Sequence, residues 1–510
     1  MNANTTTHPA PPAPAKTGWR GWAGLAVLML PALLVSVDNT VLSFALPQIA
    51  LDLEPTSAEQ LWIIDAYPLV LAALLVTMGT LGDRYGRRRM LLLGATGFAV
   101  VSVLAAFAPT AGLLIAARAG LGVFGAMLMP STLSLLRTIF TDRDQRRLAV
   151  AVWATAFSAG AALGPIVGGS LLEHFAWGSV FLMSVPVLIP LLVLAPILLP
   201  ESRDPNPGRI DVVSIVLSLA TMVPIVYGIK ELAVAGITPL VGVLFVAGIL
   251  FAVLFVRRQL RLPTPMLDMR LFRQGTFAGA LLVNLLSVVA LVGFLYFVAQ
   301  HLQLVVGLSP MQAGWALVPG LVAMIVAGLT VVPIAKRVPP RVLVPAALVF
   351  SVGGYVAIAF GAGDLAVVLL AFIALGIGIG MAETVSNELV LTTAPPEKAG
   401  AASAVSETAY ELGAVLGTAI LGGIITALYR AKLVLPEGLP PAAAEAARET
   451  LAGAIHAAEG VGGELGAALA AAASHAFDAG IVITALIGAG LVVLAGVIAA
   501  ASLGGSRSKP

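Results

Sequence analysis

The sequence predicts an all-α protein that crosses a membrane fourteen times, and three observations carry that prediction. First, 59% of the 510 residues are hydrophobic and 11% are charged, with a mean hydropathy of +1.01. Soluble domains run at roughly 45–50% apolar and about 25% charged. Second, apolar stretches of about 20 residues or more, the length that spans a bilayer, recur along the chain between loops rich in Pro, Gly and charge. Third, Lys and Arg fall in alternate loops, as they do when basic loops stay on one side of a membrane.

The predicted spans are 22–50, 59–81, 89–108, 111–137, 148–172, 177–200, 210–230, 236–256, 276–304, 310–334, 341–361, 365–391, 398–429 and 477–502. The Thr/Ala/Pro-rich residues 1–20 read as a disordered cytoplasmic tail, and the apolar run after them is too long for a signal-peptide core. With the N-terminus inside, the inner side takes "GDRYGRRR", "RTIFTDRDQRR", "VRRQLR" and "DMRLFR". Of the 28 Lys and Arg, the exceptions are Lys230, Arg430, Lys432 and Arg448 outside, and Arg118 within a span. Both termini are therefore expected to be cytoplasmic. Between the last two spans, Arg430 to His475 is Ala-rich with Glu445, Arg448, Glu449, Glu459 and Glu464. It reads equally as an amphipathic helix on the membrane surface or as a solvated linker.

Several chemistries drop out at this level. There is no cysteine, which excludes disulfides, thiolate metal sites and cysteine nucleophiles, and the five histidines are scattered. No phosphate loop, zinc pair or serine-triad spacing occurs. No enzyme activity, cofactor, metal or nucleic-acid partner is expected.

A faint repeat organises the spans. The fifth carries "AFSAGAALGPIVGG", with Gly160, Gly164 and Gly168 on one helix face, and Pro165 beside them to remove a backbone hydrogen bond. The thirteenth carries "ELGAVLGTAILGG", with Gly413 and Gly417 on one face. These are the fifth helix of a first six and of a last six. The chain parses as a six-helix bundle at 21–200, two added helices and a linker at 201–274, and a six-helix bundle at 275–502. The second bundle contains the long outer loop 430–476, and a cytoplasmic tail follows at 503–510. Parallel six-helix halves mark one large transporter fold.

Charges inside the spans are the candidate functional groups. Asp38, in "SVDNTVLSFALPQ", is the only charge between Arg20 and Asp52. An aspartate at the centre of a span costs about 2.5–3.5 kcal/mol on insertion scales. It is tolerable only if it faces a cavity, and Asn39 and Thr40 extend the polar patch. Arg118, in "RAGLGVFGAMLMP", must pair or reach water; a structural ion pair, snorkelling and a role in charge control all remain open. Glu407 and Glu411, in "AVSETAYELGAVLG", lie one turn apart on one face. Two like charges in low dielectric resist simultaneous ionisation, as a proton carrier requires. The alternative is a carboxylate bonded to neighbouring hydroxyls or to the Tyr410 phenol.

Weaker candidates follow. Asp65 reads as an interfacial anchor beside Trp62 and Tyr67. Glu383 and Glu388 line a vestibule or simply end a helix, and Asn284, Tyr296, Gln300 and Gln303 stripe the ninth span as possible cavity groups. In "GTLGDRYGRRRM", Gly79, Gly82 and Gly86 permit a tight turn, and Asp83 can cap the next helix. Arg84, Arg87 and Arg88 face the cytoplasm, and the loop reads as a conformational gate or as an ordinary positive-inside loop.

Together these motifs resemble the major facilitator superfamily, and more closely its fourteen-helix drug:proton antiporter branch. "VDNTVLSFALPQIA" resembles that branch's first-helix signature, "GTLGDRYGRRR" the superfamily's loop after helix two, "RAGLG" its helix-four motif and "GAALGPIVGG" the antiporter fifth-helix motif. "VSETAYELGAVLG" and "ESRDPNPG" are similar to actinobacterial multidrug pumps. The loop "IAKRVPPR" departs from the pattern, keeping only the basic residues of the motif seen after the second span.

The resemblance implies a monomer in the bacterial inner membrane with the major facilitator fold. It would export lipophilic cations such as quaternary ammonium compounds, ethidium, acriflavine and fluoroquinolones in exchange for protons. Asp38, Glu407, Glu411 and Arg118 would couple protons. Asp38, Asn39, Tyr296, Gln300, Tyr410 and Glu411 would line the substrate cavity. Gly82, Asp83, Arg84, Gly86, Arg87, Arg88, Gly160, Gly164, Pro165 and Gly168 would serve conformational change. Export of a lipid or another amphipathic metabolite is the rival reading.

Overall fold

The structure, a computed structural model, describes residues 17–203, 211–262, 265, 267–361, 363–393 and 399–504. All regular structure among them is helical. The first six crossings are α1 (Trp19–Leu53), α2 (Ser57–Tyr85), α3 (Arg87–Ala106), α4 (Ala111–Ile139), α5 (Arg143–His174), and the pair α6 (Ser179–Leu182) and α7 (Ser184–Leu198). Two further crossings, α8 (Val212–Ala235) and α9 (Pro239–Arg261), follow. The last six are α10 (Gly275–Gln300), α11 (Pro310–Ala335), α12 (Pro340–Gly361), α13 (Leu365–Thr393), α14 (Ala399–Gly417) joined to α15 (Gly423–Lys432), and α18 (Gly463–Ser502). Two short helices, α16 (Pro441–Glu449) and α17 (Leu451–Val461), precede the last of these.

Among the described residues, 13 helices are long and apolar enough to cross a membrane. The remaining predicted span, 148–172, lies within α5, whose 32 residues are also long enough at about 1.5 Å per residue. The helix starts follow local chemistry. Thr56 with Glu59, and Ser309 with Gln312, form capping boxes, and Asp142 caps α5. The predicted tail 1–20 is shorter than expected at its inner end: α1 begins at Trp19, and the Thr17 amide donates to Gln145 Oε1 at 2.8 Å. Residues 1–16, 505–510 and most of "ESRDPNPG" lie outside the described residues.

The two six-helix bundles repeat one packing scheme. In the first, α1 lies along α5, and α4 along α2 and α3. In the second, α10 lies along α14, and α13 along α11 and α12. The bundles meet through α2 against α14 and α5 against α11, which are equivalent pairs under the repeat. The glycine stripes make the first contacts possible. A Cβ on Gly160 would sit 2.7 Å from the Leu33 carbonyl oxygen of α1, and one on Gly413 would sit 2.9 Å from the Leu285 carbonyl oxygen of α10. Both stripes thus let a fifth helix touch the backbone of a first helix.

The added pair α8–α9 packs mainly on itself and presents exposed Val243, Val246, Ile249 and Leu250, the surface that lipid would cover. Its base is fastened by Asp211, which accepts from Arg258 Nη2 at 2.6 Å and from the Ser214 amide at 3.1 Å. Burial opposes ionisation of Asp211, but these hydrogen bonds outweigh it and hold its carboxyl below the ordinary range. At the opposite end of the bundle, α8 leans on α2 and α15.

The segment 430–476 is neither a solvated linker nor one surface helix. Its alanine content favours helix, and it forms α16, α17 and the first turns of α18, which starts at Gly463 rather than at 477. Pro441 opens α16, Thr450 caps α17, and Gly462 and Gly463, with φ of 64° and 61°, turn the chain into α18. This hairpin covers one end of the molecule, here the cap end. Tyr429 Oη donates to the Ala447 carbonyl at 2.8 Å, and the Ser57 amide donates to Glu449 Oε2 at 3.1 Å. The other end carries Arg87, Arg88 and Arg89 and is the basic end.

Candidate functional site

Asp38 and Arg118 form a buried ion pair between α1 and α4, with Oδ2 and Nη1 2.6 Å apart. Pro68 explains where the rest of the guanidinium goes. A proline has no N–H, so the carbonyl four residues earlier loses its helical donor. That carbonyl belongs to Ile64, and Arg118 Nη2 donates to it at 3.4 Å, while Nε donates to the Ile63 carbonyl at 3.1 Å. The Tyr67 ring lies 4.7 Å from the guanidinium carbon. α2 comes close enough because of Gly122, where a Cβ would stand 2.6 Å from the Tyr67 carbonyl oxygen. Snorkelling is thereby excluded: Arg118 is buried and satisfied in place.

Asn39, the next residue, reaches across to the other bundle. Its Nδ2 donates to Glu411 Oε1 at 3.4 Å. Glu411 is fully buried, and its Oε2 has no hydrogen-bond partner among the described residues. Glu407 lies one turn earlier on α14 and is half-buried. The four predicted acid and base positions therefore form a chain from Arg118 through Asp38 and its neighbour Asn39 to the Glu411/Glu407 helix. Gly164 packs on the same stretch of α1, where a Cβ would collide with the Thr40 hydroxyl, and Gly168 packs on Val41.

Beside this chain lies a cavity of about 50 Å³. Asn39, Thr40, Asp65, Arg118, Glu383 and Tyr410 give it polar walls, and Ile64, Leu291, Leu295, Leu321 and Met324 give it apolar ones. Drug-sized ligands need roughly 300–1,000 Å³, so this cavity as it stands holds water-sized contents and must widen to take more. Of the residues expected to line it, Asn39 and Tyr410 do, whereas Asp38 and Glu411 do not, and neither do Tyr296 and Gln300. The last two face a smaller pocket under the cap, with Gln60, Thr426, Tyr429 and Glu449, and Gln300 Nε2 bonds back to the Tyr296 carbonyl at 3.1 Å. Helical periodicity placed them on the inward face of α10 but could not fix their depth. Glu383 borders the cavity, whereas Glu388 is exposed.

Asp65 corrects the sequence reading most sharply. It is no interfacial anchor but a fully buried carboxylate, 3.0 Å from Lys230 Nζ on α8. The signal lay in two lone opposite charges at matching depth, each within about 12 Å of its helix's cap end at 1.5 Å per residue.

The loop between α2 and α3 is built around a partner that the motif does not contain. Asp83 does not cap α3; it stays in α2 and takes Arg87 Nη2 at 2.6 Å, one turn on. Glu201, just after α7, accepts from the Arg88 amide at 3.1 Å and so supplies the negative charge that a helix N-terminus favours. Arg88 Nη1 also donates to the Leu199 carbonyl at 3.0 Å. Gly86 holds φ at 110°, and a Cβ there would lie 2.7 Å from Glu201 Oε1. Arg84 stands over the Tyr85 ring at 5.9 Å. Gly82 has ordinary space around its Cα; its carbonyl accepts from the Gly86 amide at 2.9 Å.

Comparison with known proteins gives this architecture a context. The family described as Major Facilitator Superfamily matches residues 28–418. The chain is 56% identical over 476 residues to "Multidrug efflux pump LfrA" of Mycolicibacterium smegmatis, covering 93% of this chain and 94% of that protein. It is 36% identical to "Methyl viologen resistance protein SmvA" of Salmonella typhimurium, covering 89% and 92%. Among solved structures, a bacterial homolog of the human lysosomal transporter Spinster, inward-facing and unoccupied, superposes with a TM-score of 0.66. That match has 18% identity and covers 94% of this chain and 98% of the other.

Proposed function

Because the chain belongs to the Major Facilitator Superfamily, and is thus a membrane transporter rather than an enzyme, we propose that it exports lipophilic cations in exchange for protons by alternating access. One observation carries the reading. Glu411 is buried where the two bundles meet, with one oxygen bonded to Asn39 and the other without a hydrogen-bond partner among the described residues. A bare carboxylate in that position is costly, and either a proton or a substrate cation removes the cost. The two therefore compete for one site, and Glu407, a turn away, gives a second position for a second charge. The similarity to a multidrug efflux pump and a methyl viologen resistance protein supports cations as cargo. A neutral lipid would leave Glu411 uncompensated, which favours cations over the lipid-export reading.

The energetics close without ATP. Moving one charge across the membrane is worth about 2.3 kcal/mol per 100 mV. A monovalent cation leaving and a proton entering cancel that term, and the pH difference drives the exchange at about 1.36 kcal/mol per unit. A dication needs two protons for the same balance. In this reading the basic end faces the cytoplasm with both termini, the cap end faces outward, and the monomer is the working unit. Bundles at 21–200 and 275–502 rock against each other at the α2–α14 and α5–α11 contacts, while the Gly160–Gly168 stripe keeps α5 close on α1 within the first bundle.

The experiment is ethidium accumulation in intact cells expressing the protein, with and without a protonophore. The reading expects low accumulation that rises to the level of non-expressing cells when the proton gradient is collapsed. Equal accumulation in expressing and non-expressing cells would refute it.

A further inference from the structure

The added pair α8–α9 presents few polar groups to the bundles, yet it drives Lys230 into their seam. Lys230 and Asp65 are both buried, with Nζ 3.0 Å from Oδ2. The ammonium also donates to the Leu61 carbonyl at 3.1 Å and lies 3.7 Å from the centre of the Trp62 ring. Tyr227, on α8, brings its ring to 6.0 Å from that of Trp62. A carboxylate, a carbonyl and an indole face around one desolvated charge make a complete site for an organic cation.

Anchoring the helix does not require this arrangement. Val226 of α8 already packs with Leu69, Val415 and Ala419, supported by Met222 and Ile229, and a buried ion pair is weak evidence for stability. Two features tie the site to transport instead. Asp65 also borders the central cavity. The turn Thr418–Gly422, a π-helical stretch of the kind that recurs at functional sites, meets both α2 and α8 at this level.

We propose that Asp65, Trp62 and the Leu61 carbonyl form a second subsite for lipophilic organic cations, between the central cavity and the cap end, and that Lys230 is its built-in competitor. In the conformation described here the chain's own ammonium fills the subsite. A cargo cation arriving from the Asp38/Glu411 layer displaces Lys230, and the return of Lys230 expels the cargo toward the cap end. Asp65 is never left bare, and cargo on the far side finds the subsite taken. The inference rests on the cation-export reading above.

The test uses the full chain in detergent and in cells, with tetraphenylphosphonium as the probe. If Lys230 holds the subsite about nine-tenths of the time, Lys230→Gln tightens probe binding about tenfold, while probe efflux from cells falls. Lys230→Gln protein that folds and binds no tighter than wild type overturns the proposal. The double variant Asp65→Asn/Lys230→Met removes both charges together and so avoids a bare buried ion. It is expected to fold, to bind the probe more weakly than Lys230→Gln, and to lose efflux; efflux at the wild-type rate would mean that the pair is only an anchor. Wild-type protein that neither binds nor exports the probe would instead sink the cation-export reading itself.

Discussion

Arg118 closes on Asp38 at 2.6 Å while its remaining N–H groups reach the Ile63 and Ile64 carbonyls. The arginine is thus bound to α1 and to the proline-broken turn of α2 at once. Removing it leaves a buried carboxylate without its cation, so Arg118→Ala is expected to destabilise the protein by about 3–5 kcal/mol. Arg118→Ala combined with Asp38→Asn is expected to regain much of that, yet to stay inactive in dye efflux. Thermal unfolding in detergent, beside efflux from cells, checks both halves of this expectation.

The contact between α1 and α5 sets a second expectation. A Cβ at Gly160 meets backbone, 2.7 Å from the Leu33 carbonyl oxygen, whereas one at Gly120 meets only the two Val101 methyls, at 3.3 and 3.7 Å. Gly160→Ala therefore has to push two helices apart, at a cost of about 1–3 kcal/mol, and slow transport. Gly120→Ala is expected to be close to wild type in both. Unfolding temperature and initial efflux rate, compared between the two variants, decide the matter; equal behaviour would contradict it.

At the basic end, Glu201 fastens the arginine loop to the end of α7. Glu201→Gln keeps an acceptor for the Arg88 amide but removes the charge shared by Arg88 and Arg89 at 3.8 and 3.9 Å. These pairs are partly exposed, and such bridges contribute little, up to about 1 kcal/mol. Unfolding should hardly change, while transport slows if the loop gates the cycle. Gly86→Ala is expected to be worse, because φ of 110° strains any side chain and its Cβ would strike Glu201. Probe affinity is expected to survive in Glu201→Gln; lost affinity with normal turnover would contradict a gating role.

Much of the architecture was legible because membrane helices announce themselves by length, apolarity and loop charge. Asp38, Arg118 and Glu411 stood out for the same reason, since an ionisable group in lipid must have a use. What escaped was partnership in three dimensions. Nothing local to "EQLWIIDAYPLV" says that Asp65 meets a lysine of an added helix, because that contact depends on where α8 docks. Glu201 was hidden likewise: its partner arginines lie across the fold, on α3. Tyr296 and Gln300 were assigned to the right face at the wrong depth. The segment 430–476 stayed between helix and linker because short alanine-rich stretches with scattered charge suit both, and only the docking of α16 and α17 on the bundle ends decides for helix, in keeping with the high helix propensity of alanine.

Competition between a proton and a cation at the Glu407/Glu411 helix is the central claim, and proton release measures it most directly. Purified protein in weakly buffered detergent solution near neutral pH is mixed with tetraphenylphosphonium, and the pH change is followed with an indicator dye. The account predicts that cation binding expels protons from the wild type. It also predicts that Glu411→Gln abolishes or sharply reduces the release while the variant stays folded. Saturating cation binding by the wild type without proton release, or unchanged release from both Glu411→Gln and Glu407→Gln, would contradict it.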